Sequence, residues 1–183
     1  MNKKSKIIIF EGLDNTGKST QINNIMNRIE KQSFHTIHYS AIKGNNIWER
    51  SVRLYTYMFK LFNLCIRKNI NLLVDRAHLG EFVYGPIYRK YKGDYVFNLE
   101  KKYIKNKFLN NIYLIVLIDN PSNLIKREDN KSLHKNSTEN ILYETERFIM
   151  AFDESFIKNK IIIDINNKSE EEVYNIIKNF INF

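Results

Sequence analysis

The residues that most constrain this chain lie between positions 6 and 20. An apolar run at residues 7–10 has the length of a buried strand and leads into Gly12, four intervening residues and Gly17-Lys18-Ser19. Apolar residues then recur at helical spacing. A strand, a glycine-rich turn and a helix N-terminus direct successive backbone N–H groups at one point, where the helix dipole adds about half a positive charge. The pattern predicts a phosphate-binding loop; a glycine turn without a ligand is the alternative.

Each part of this loop has a chemical role. Gly12 and Gly17 allow backbone conformations and close approaches that a side chain would block. Lys18 places an ammonium group on the outer phosphates of a nucleotide, and the Ser19 hydroxyl can coordinate Mg²⁺. We therefore expect the nucleotide phosphates to be bound by Gly12, Asn15, Thr16, Gly17, Lys18, Ser19 and Thr20.

Length and composition narrow the class of protein. The chain has 183 residues, and its sequence shows no linker and no repeat. We therefore expect one domain with a core of its own. A single cysteine, Cys65, rules out a disulfide within one chain and favours a reducing compartment. No apolar run approaches the roughly 20 residues of a membrane helix. We expect a cytoplasmic protein without a membrane partner.

The net charge of +9 has two explanations. A basic surface can attract nucleic acid, or it can attract anionic nucleotides. The basic residues are scattered along the chain, without an arginine-rich tail or a basic patch studded with aromatic residues. This favours small-molecule nucleotides as partners over nucleic acid.

Strand and helix patterns alternate along the chain. Five strands with intervening helices predict a parallel sheet covered on both faces. After the first strand, the others are expected at residues 35–39, 70–75, 112–118 and 160–165. Helices are expected at residues 17–31, 45–68, 98–108 and 138–157, from residue 77 to a break at Gly85-Pro86, and after Ser169, where a capping box begins.

Three stretches have more than one interpretation. The aromatic helix at residues 45–68 packs in the core or a dimer, or it offers a ring such as Phe59 to a nucleobase. Asp75-Arg76 follows the third strand, at the sheet edge where ligands collect. Asp75 can hold Mg²⁺ and Arg76 an acceptor phosphate, although a structural salt bridge is the alternative. Residues 129–137 suit a mobile flap or a solvated loop.

These motifs together resemble the thymidylate kinases and related nucleoside monophosphate kinases, particularly compact phage-type members, over essentially the whole chain. The resemblance implies a P-loop NTPase fold with a short lid at about residues 127–138. It also implies ATP as phosphoryl donor, Mg²⁺, a role in nucleotide biosynthesis and a homodimer. Lys18, Arg76, Arg127 and Asp14 are its implied catalytic residues. Asp14, Arg76, Tyr84 and Phe59 are assigned to the acceptor, and Ser19 and Asp75 to the metal.

The chain departs from the family pattern after its second strand. An Arg-Glu-Pro segment often contacts the acceptor phosphate there, whereas this chain has residues 40–44, with Lys43 or Arg50 as substitutes. The Phe and Arg that read thymine have no clear counterpart in residues 55–60.

The expected reaction is phosphorylation of dTMP to dTDP, and three alternatives remain. One is a kinase for several deoxynucleoside monophosphates. A deoxynucleoside kinase would need a carboxylate base just after the second strand, where residues 39–43 contain none. A nucleotide-binding module or nucleic-acid-associated NTPase would need a second domain or an oligonucleotide groove.

Overall fold

Five parallel strands form the centre of the fold. The computed structural model describes residues 5–29, 33–40, 42–127 and 137–182. The strands are β1 (Ile7–Gly12), β2 (Phe34–His38), β3 (Asn71–Asp75), β4 (Ile112–Ile118) and β5 (Asn159–Asp164). Their order in the sheet is β2-β3-β1-β4-β5. The predicted parallel sheet is confirmed, and β4 has the predicted bounds.

Helices connect these strands on both sides of the sheet. In chain order they are α1 (Lys18–Arg28), α2 (Ile47–Arg67), α3 (Leu79–Tyr88), α4 (Tyr95–Tyr103), a 3₁₀ helix (Asn106–Asn111), α5 (Pro121–Lys126), α6 (Thr138–Glu154) and α7 (Glu170–Ile181). The predicted capping box is present at the start of α7, between Ser169 and Glu172. Ser137 likewise caps α6 by accepting a hydrogen bond from the backbone N–H of Asn140.

The two faces of the sheet carry separate cores, because successive residues of a strand point to opposite sides. In β1, Ile7 and Ile9 belong to the core under α2, α3 and α6, whereas Ile8 and Phe10 belong to the core under α1 and α7. All four side chains are fully buried. The strand that leads into the glycine-rich loop is therefore fixed from both sides, as expected for the central strand of a parallel sheet.

The carboxyl ends of the strands meet at one edge, which positions the candidate site. β1 lies between β3 and β4, and the order of the strands reverses at this point. In open sheets of this kind, ligands bind in the crevice at the reversal. The glycine-rich loop, the end of β3 and the end of β2 all border this crevice.

The predicted break at Gly85-Pro86 is wrong, because α3 continues through Pro86 to Tyr88. A proline inside a helix leaves the carbonyl four residues earlier, here that of Phe82, without its usual donor. Arg147 of α6 supplies the missing donor. Its Nη2 donates to the Phe82 carbonyl oxygen at 2.8 Å, and its guanidinium lies 4.0 Å from the centre of the Phe82 ring.

We expect Arg147→Ala to lower the free energy of unfolding by about 2 kcal/mol, the usual value of a hydrogen bond to a charged group. Urea unfolding of a double-mutant cycle measures this effect. Pro86→Ala restores an N–H that can reach the Phe82 carbonyl, so Arg147→Ala should cost less in that background. Equal costs in both backgrounds would contradict the assigned role of Arg147.

The helix predicted at residues 98–108 is divided into α4 and the 3₁₀ helix. Asn63 of α2 donates from Nδ2 to the carbonyl oxygen of Tyr103, the last residue of α4, at 2.7 Å. Ile104 then adopts an extended backbone. The change of direction lets both Ile104 and Phe108 reach the core.

Candidate functional site

The glycine-rich loop joins β1 to α1 and leaves no room for a side chain at Gly12. A Cβ atom built there would lie 2.1 Å from the carbonyl oxygen of Leu117 in β4, and φ is +126°. Gly17 has left-handed dihedral angles immediately before α1, and no side chain caps the first turn of that helix. The first N–H groups of α1 are therefore available to an anion.

A cavity of about 650 Å³ lies over this loop. Its wall contains most of the residues predicted to bind phosphate, metal and acceptor, together with residues from β2 and from the start of α7. The lining residues are Asp14, Asn15, Thr16, Gly17, Lys18, Ser19, Thr20, Gln21, His38, Asp75, Arg76, Arg127, Ile165, Lys168, Glu170 and Val173.

Lys18 is folded back onto its own loop. Its side chain is buried, and Nζ donates to the carbonyl oxygens of Gly12 and Leu13 at 3.0 and 2.5 Å. Burial, followed by the nearby Arg76 guanidinium, lowers the pKa of Lys18 from 10.5 to about 8. An arriving phosphate would offset both causes.

We expect nucleotide binding to weaken as the pH rises through about 8, because Lys18 of the free protein loses its charge there. Since the folded-state pKa is depressed below that of the unfolded chain, burying the ammonium opposes folding below about pH 8. This cost fades as the pH approaches 10.5. Binding of ATP favours the ammonium form of Lys18. Between about pH 8 and pH 10.5, ATP binding should therefore be accompanied by uptake of a proton.

Calorimetric titration with ATP near pH 9, in two buffers of different ionisation enthalpy, measures this proton uptake. Lys18→Arg keeps its charge across the range and serves as the matched control, so its affinity should change little with pH. A wild-type affinity that is the same near pH 7 and near pH 9.5 would contradict the assignment.

Asp75 joins the ends of β2 and β3 to the start of α1. Its Oδ2 accepts a hydrogen bond from the Ser19 hydroxyl at 3.0 Å and lies 3.1 Å from Nδ1 of His38. Its Oδ1 is buried and has no hydrogen-bond partner among the described residues. A hydroxyl and a carboxylate with an unsatisfied oxygen are ligands that suit Mg²⁺.

No group of three or more His, Cys, Asp and Glu side chains in the described parts of the chain could hold a metal by itself. Ser19 and Asp75 fit instead the sparse protein contribution that is usual for Mg²⁺ bound with nucleotide phosphates.

Arg76 and Asp14 form an ion pair on the wall of the cavity. The Arg76 Nη2 atom lies 2.5 Å from Oδ1 of Asp14, and both side chains are partly exposed. Arg76 has a φ of +66°, uncommon for a residue with a Cβ atom, and its N–H donates to the carbonyl oxygen of Phe10 at 2.9 Å. Two contacts thus hold Arg76 beside the loop. Its backbone N–H bonds to Phe10, and its guanidinium pairs with Asp14.

Tyr84, which was predicted to contact the acceptor, does not line the cavity and lies next to a buried carboxylate from α6, Glu144. Its ring packs against Phe148 and Tyr88 at centroid distances of 5.8 and 6.0 Å. Burial raises the pKa of Tyr84 well above its usual value, and the Glu144 and Asp14 carboxylates raise it further. Glu144 accepts a hydrogen bond from the Tyr88 hydroxyl, and burial raises its own pKa.

Phe59 does not reach the cavity wall. Its side chain is fully buried in the core, where its ring meets Phe62 and His78 at 5.9 and 5.0 Å. The structure therefore assigns to Phe59 the core packing that was one of the two interpretations of this aromatic helix.

Arg127 lies on the cavity wall at the end of α5. Its Nη1 is 2.8 Å from Oδ2 of Asp119, whose carboxylate is fully buried. Asp119 also accepts hydrogen bonds from the Asn120 N–H and from Nδ2 of Asn123. Arg127 is therefore held by a polar cluster at the end of β4. Most of the predicted lid, residues 128–136, lies outside the described residues.

The two basic substitutes considered for the acceptor phosphate do not line the cavity. Arg50 donates from Nη1 to the carbonyl oxygen of Lys43 at 2.7 Å. Arg50 also lines a separate hollow of about 320 Å³, together with Ile42, Arg53, Leu54 and Tyr57.

His38 was not among the residues predicted for the site, although it lines the cavity. His38 is the last residue of β2 and lies opposite Asp75 in the register of the sheet. The rule that the ends of parallel strands meet at one edge could have found it. Glu144, which lies next to Tyr84, was not among the predicted site residues either.

Comparisons with known proteins support this geometry at the level of the fold. No protein-family model and no curated protein sequence matches the chain. Among solved structures, it is similar to the YorR protein from Bacillus subtilis in complex with phosphorylated GDP. The TM-score is 0.67 and the identity 19%, over 97% of this chain and 96% of that one.

Two thymidylate kinases are also similar to this chain in fold. The enzyme from Ehrlichia chaffeensis has a TM-score of 0.65 and 11% identity, over 99% of this chain and 100% of that one. This chain has the thymidylate kinase fold. For the Candida albicans enzyme, described as having broad substrate specificity, the TM-score is 0.61 and the identity 14%, over 98% of this chain and 92% of that one.

A search of the described residues for membrane-spanning helices found none with the required length and hydropathy.

Proposed function

We propose that this chain is a nucleoside monophosphate kinase that transfers the γ-phosphoryl group of ATP to a deoxynucleoside monophosphate, with dTMP as the preferred acceptor. The observation that carries the proposal is the position of Arg76. It borders the same cavity as the phosphate-binding loop and is oriented by Asp14. A guanidinium fork suits a second phosphate group, so the cavity offers two anion sites side by side.

The donor would occupy the loop and the part of the cavity that extends toward α5 and α7. Its phosphates would meet the N–H groups of the loop and Lys18. The remaining wall, formed by Arg127, Ile165, Lys168 and Val173, offers apolar and cationic surface to the rest of the nucleotide. The volume of about 650 Å³ is in the range of small-molecule sites.

The acceptor would bind on the side of Arg76 and Tyr84. Its phosphate would be held by the Arg76 guanidinium, with Asp14 near the sugar. Tyr84 does not line the cavity, so it would support the acceptor site from behind, where its ring packs against Phe148. Phe59 is left out of the proposed contacts because its side chain is buried in the core.

The reaction would be an in-line displacement at the γ-phosphorus. An oxygen of the acceptor phosphate forms the new P–O bond, and the bond to the β-phosphate oxygen breaks to release ADP. No general base is required, because the acceptor phosphate is already anionic. Lys18 and Arg127 would neutralise charge on the transferred oxygens. Ser19 and Asp75 would hold Mg²⁺, which would supply charge neutralisation for the donor phosphates.

An assay of ATP-dependent phosphorylation across deoxynucleoside monophosphates and deoxynucleosides tests this proposal. We expect dTMP to be phosphorylated with the highest kcat/KM. Equal use of several monophosphates would keep the mechanism and reject the base preference. Activity on deoxynucleosides alone, or ATP hydrolysis stimulated by single-stranded DNA, would contradict the proposal and favour one of the alternatives.

We further propose that two copies of the chain associate through the outer face of α2. Tyr57 and Leu64 lie two helical turns apart on this face and are 60% and 47% exposed. Burying two large apolar side chains would favour association. Sedimentation equilibrium should therefore give twice the chain mass, and Leu64→Glu should give the mass of one chain. A monomeric wild type would contradict the expectation.

A further inference from the structure

Glu11 is a buried carboxylate that the proposed mechanism does not use. It is the next-to-last residue of β1, immediately before Gly12, and only 1% of its surface is exposed. Its Oε1 accepts hydrogen bonds from the backbone N–H groups of Ala77, Leu79 and Gly80, at 3.0, 2.8 and 3.3 Å. All three donors belong to the turn and first residues of α3.

This carboxylate replaces a cap that α3 does not provide for itself. No side chain of the residues at the start of α3 makes a capping hydrogen bond. The first N–H groups of a helix have no partner within the helix, and a buried group of this kind needs one. Glu11 supplies the partner from the central strand of the sheet, 68 residues before the first residue of α3.

The segment held by Glu11 begins directly after Arg76. Arg76 is fixed on one side by its backbone hydrogen bond to Phe10, and its left-handed φ of +66° must be maintained by its surroundings. Glu11 holds the other side, at residues 77–80. The donor loop starts one residue after Glu11. One side chain therefore links the loop that would hold the donor to the segment that would hold the acceptor.

We propose that Glu11 is a positioning residue that sets the distance between the two phosphate sites. This inference rests on the proposed function, because it assigns Arg76 to the acceptor. Phosphoryl transfer depends on alignment of the reacting atoms, and a shift of about 1 Å in a positioning group can lower the rate about 100-fold. The reach of the Glu11 side chain, rather than its charge, is the property that matters.

Two substitutions separate reach from charge. Glu11→Gln keeps the length of the side chain and an oxygen that can accept the hydrogen bonds. Glu11→Asp keeps the carboxylate but withdraws it by one methylene. We expect Glu11→Gln to retain kcat within about 5-fold and Glu11→Asp to lose about 100-fold in kcat. The Kd for ATP, measured without acceptor, should change by less than about 3-fold in both variants, because the loop itself is intact.

Glu81→Asp is the matched control. Glu81 is also 1% exposed and lies on α3, but its carboxylate contacts Arg89, Tyr91 and Tyr95 instead of the helix start. We expect Glu81→Asp to lower thermal stability without a comparable loss in kcat. Equal kcat losses in Glu81→Asp and Glu11→Asp would show a general effect of packing and overturn the proposal.

Amide hydrogen exchange at residues 77–80 tests directly whether Glu11 holds the start of α3. Exchange should be faster in Glu11→Asp than in the wild type and in Glu11→Gln. A full kcat in Glu11→Asp, or a greater loss in Glu11→Gln than in Glu11→Asp, would overturn the positioning role. A wild type inactive on every monophosphate would reject the proposed function instead. Unchanged exchange in Glu11→Asp would then still overturn the link between β1 and α3.

Discussion

Replacing Lys18 by methionine is expected to lower kcat for phosphoryl transfer by about 1,000-fold, equivalent to about 4 kcal/mol of transition-state stabilisation. Lys18 is the buried ammonium at the centre of the loop, and its Nζ already contacts the Gly12 and Leu13 carbonyls. In the proposed complex it moves to the oxygens that gain charge during transfer. Methionine keeps most of the side-chain volume, so the change tests the charge more than the packing.

Lys105→Met is the matched control, because Lys105 is exposed and precedes the 3₁₀ helix far along the chain from the loop. Steady-state kinetics with ATP and dTMP should give wild-type rates for this control. A Lys18→Met protein that retains more than about a tenth of the wild-type kcat would show that the loop serves binding alone, or another reaction.

Replacing Arg76 by alanine is expected to lower kcat/KM for the acceptor by about 1,000-fold, because the acceptor phosphate would lose both its bidentate charged contact and its alignment with the donor. Arg76→Lys keeps the positive charge but loses the planar fork, and we expect a loss of about 100-fold. The Kd for ATP alone should change far less, because the donor contacts lie on the loop. A small change in the Kd for ATP together with a large loss in kcat/KM for the acceptor would show that Arg76 binds the acceptor phosphate.

Arg28→Ala controls for removal of an arginine. Arg28 pairs with Glu171 across exposed surface at the end of α1, where such a pair contributes little to stability. Kinetics of this variant should match the wild type. If Arg76→Ala weakened ATP binding as strongly as it impaired use of the acceptor, the proposed division of the cavity would be wrong.

Local patterns predicted the centre of the sheet well because β1, β3 and β4 are buried on both faces. The run at residues 112–118 is continuous and apolar, and β4 has these bounds in the structure. The placement of Asp75-Arg76 at the cavity followed from the same reasoning, since the end of a parallel strand lies at the ligand-binding edge.

Features that depend on distant partners could not be predicted in this way. Pro86 was expected to end α3, but its effect is offset by Arg147, which lies 65 residues after the carbonyl it satisfies. Glu11 reads as part of a strand followed by glycine, and nothing near it in sequence indicates that it caps a helix 68 residues later. His38 required the register of β2 against β3.

The aromatic helix shows a limit of periodicity. The broad apolar surface of α2 predicted burial without indicating which rings face the core and which face solvent. Phe59 is fully buried, whereas Tyr57, two residues earlier, is 60% exposed. The direction of each ring depends on the elements packed against the helix, here β3 and α4.

In the proposed reaction, one cavity brings together a phosphoryl donor and a monophosphate acceptor. Incubation of the wild-type protein with γ-labelled ATP, Mg²⁺ and dTMP, followed by separation of the products, tests it most directly. We expect the label to appear in dTDP, and to appear about 1,000-fold more slowly with Lys18→Met. Label recovered as inorganic phosphate alone, at the same rate with and without any monophosphate, would contradict it.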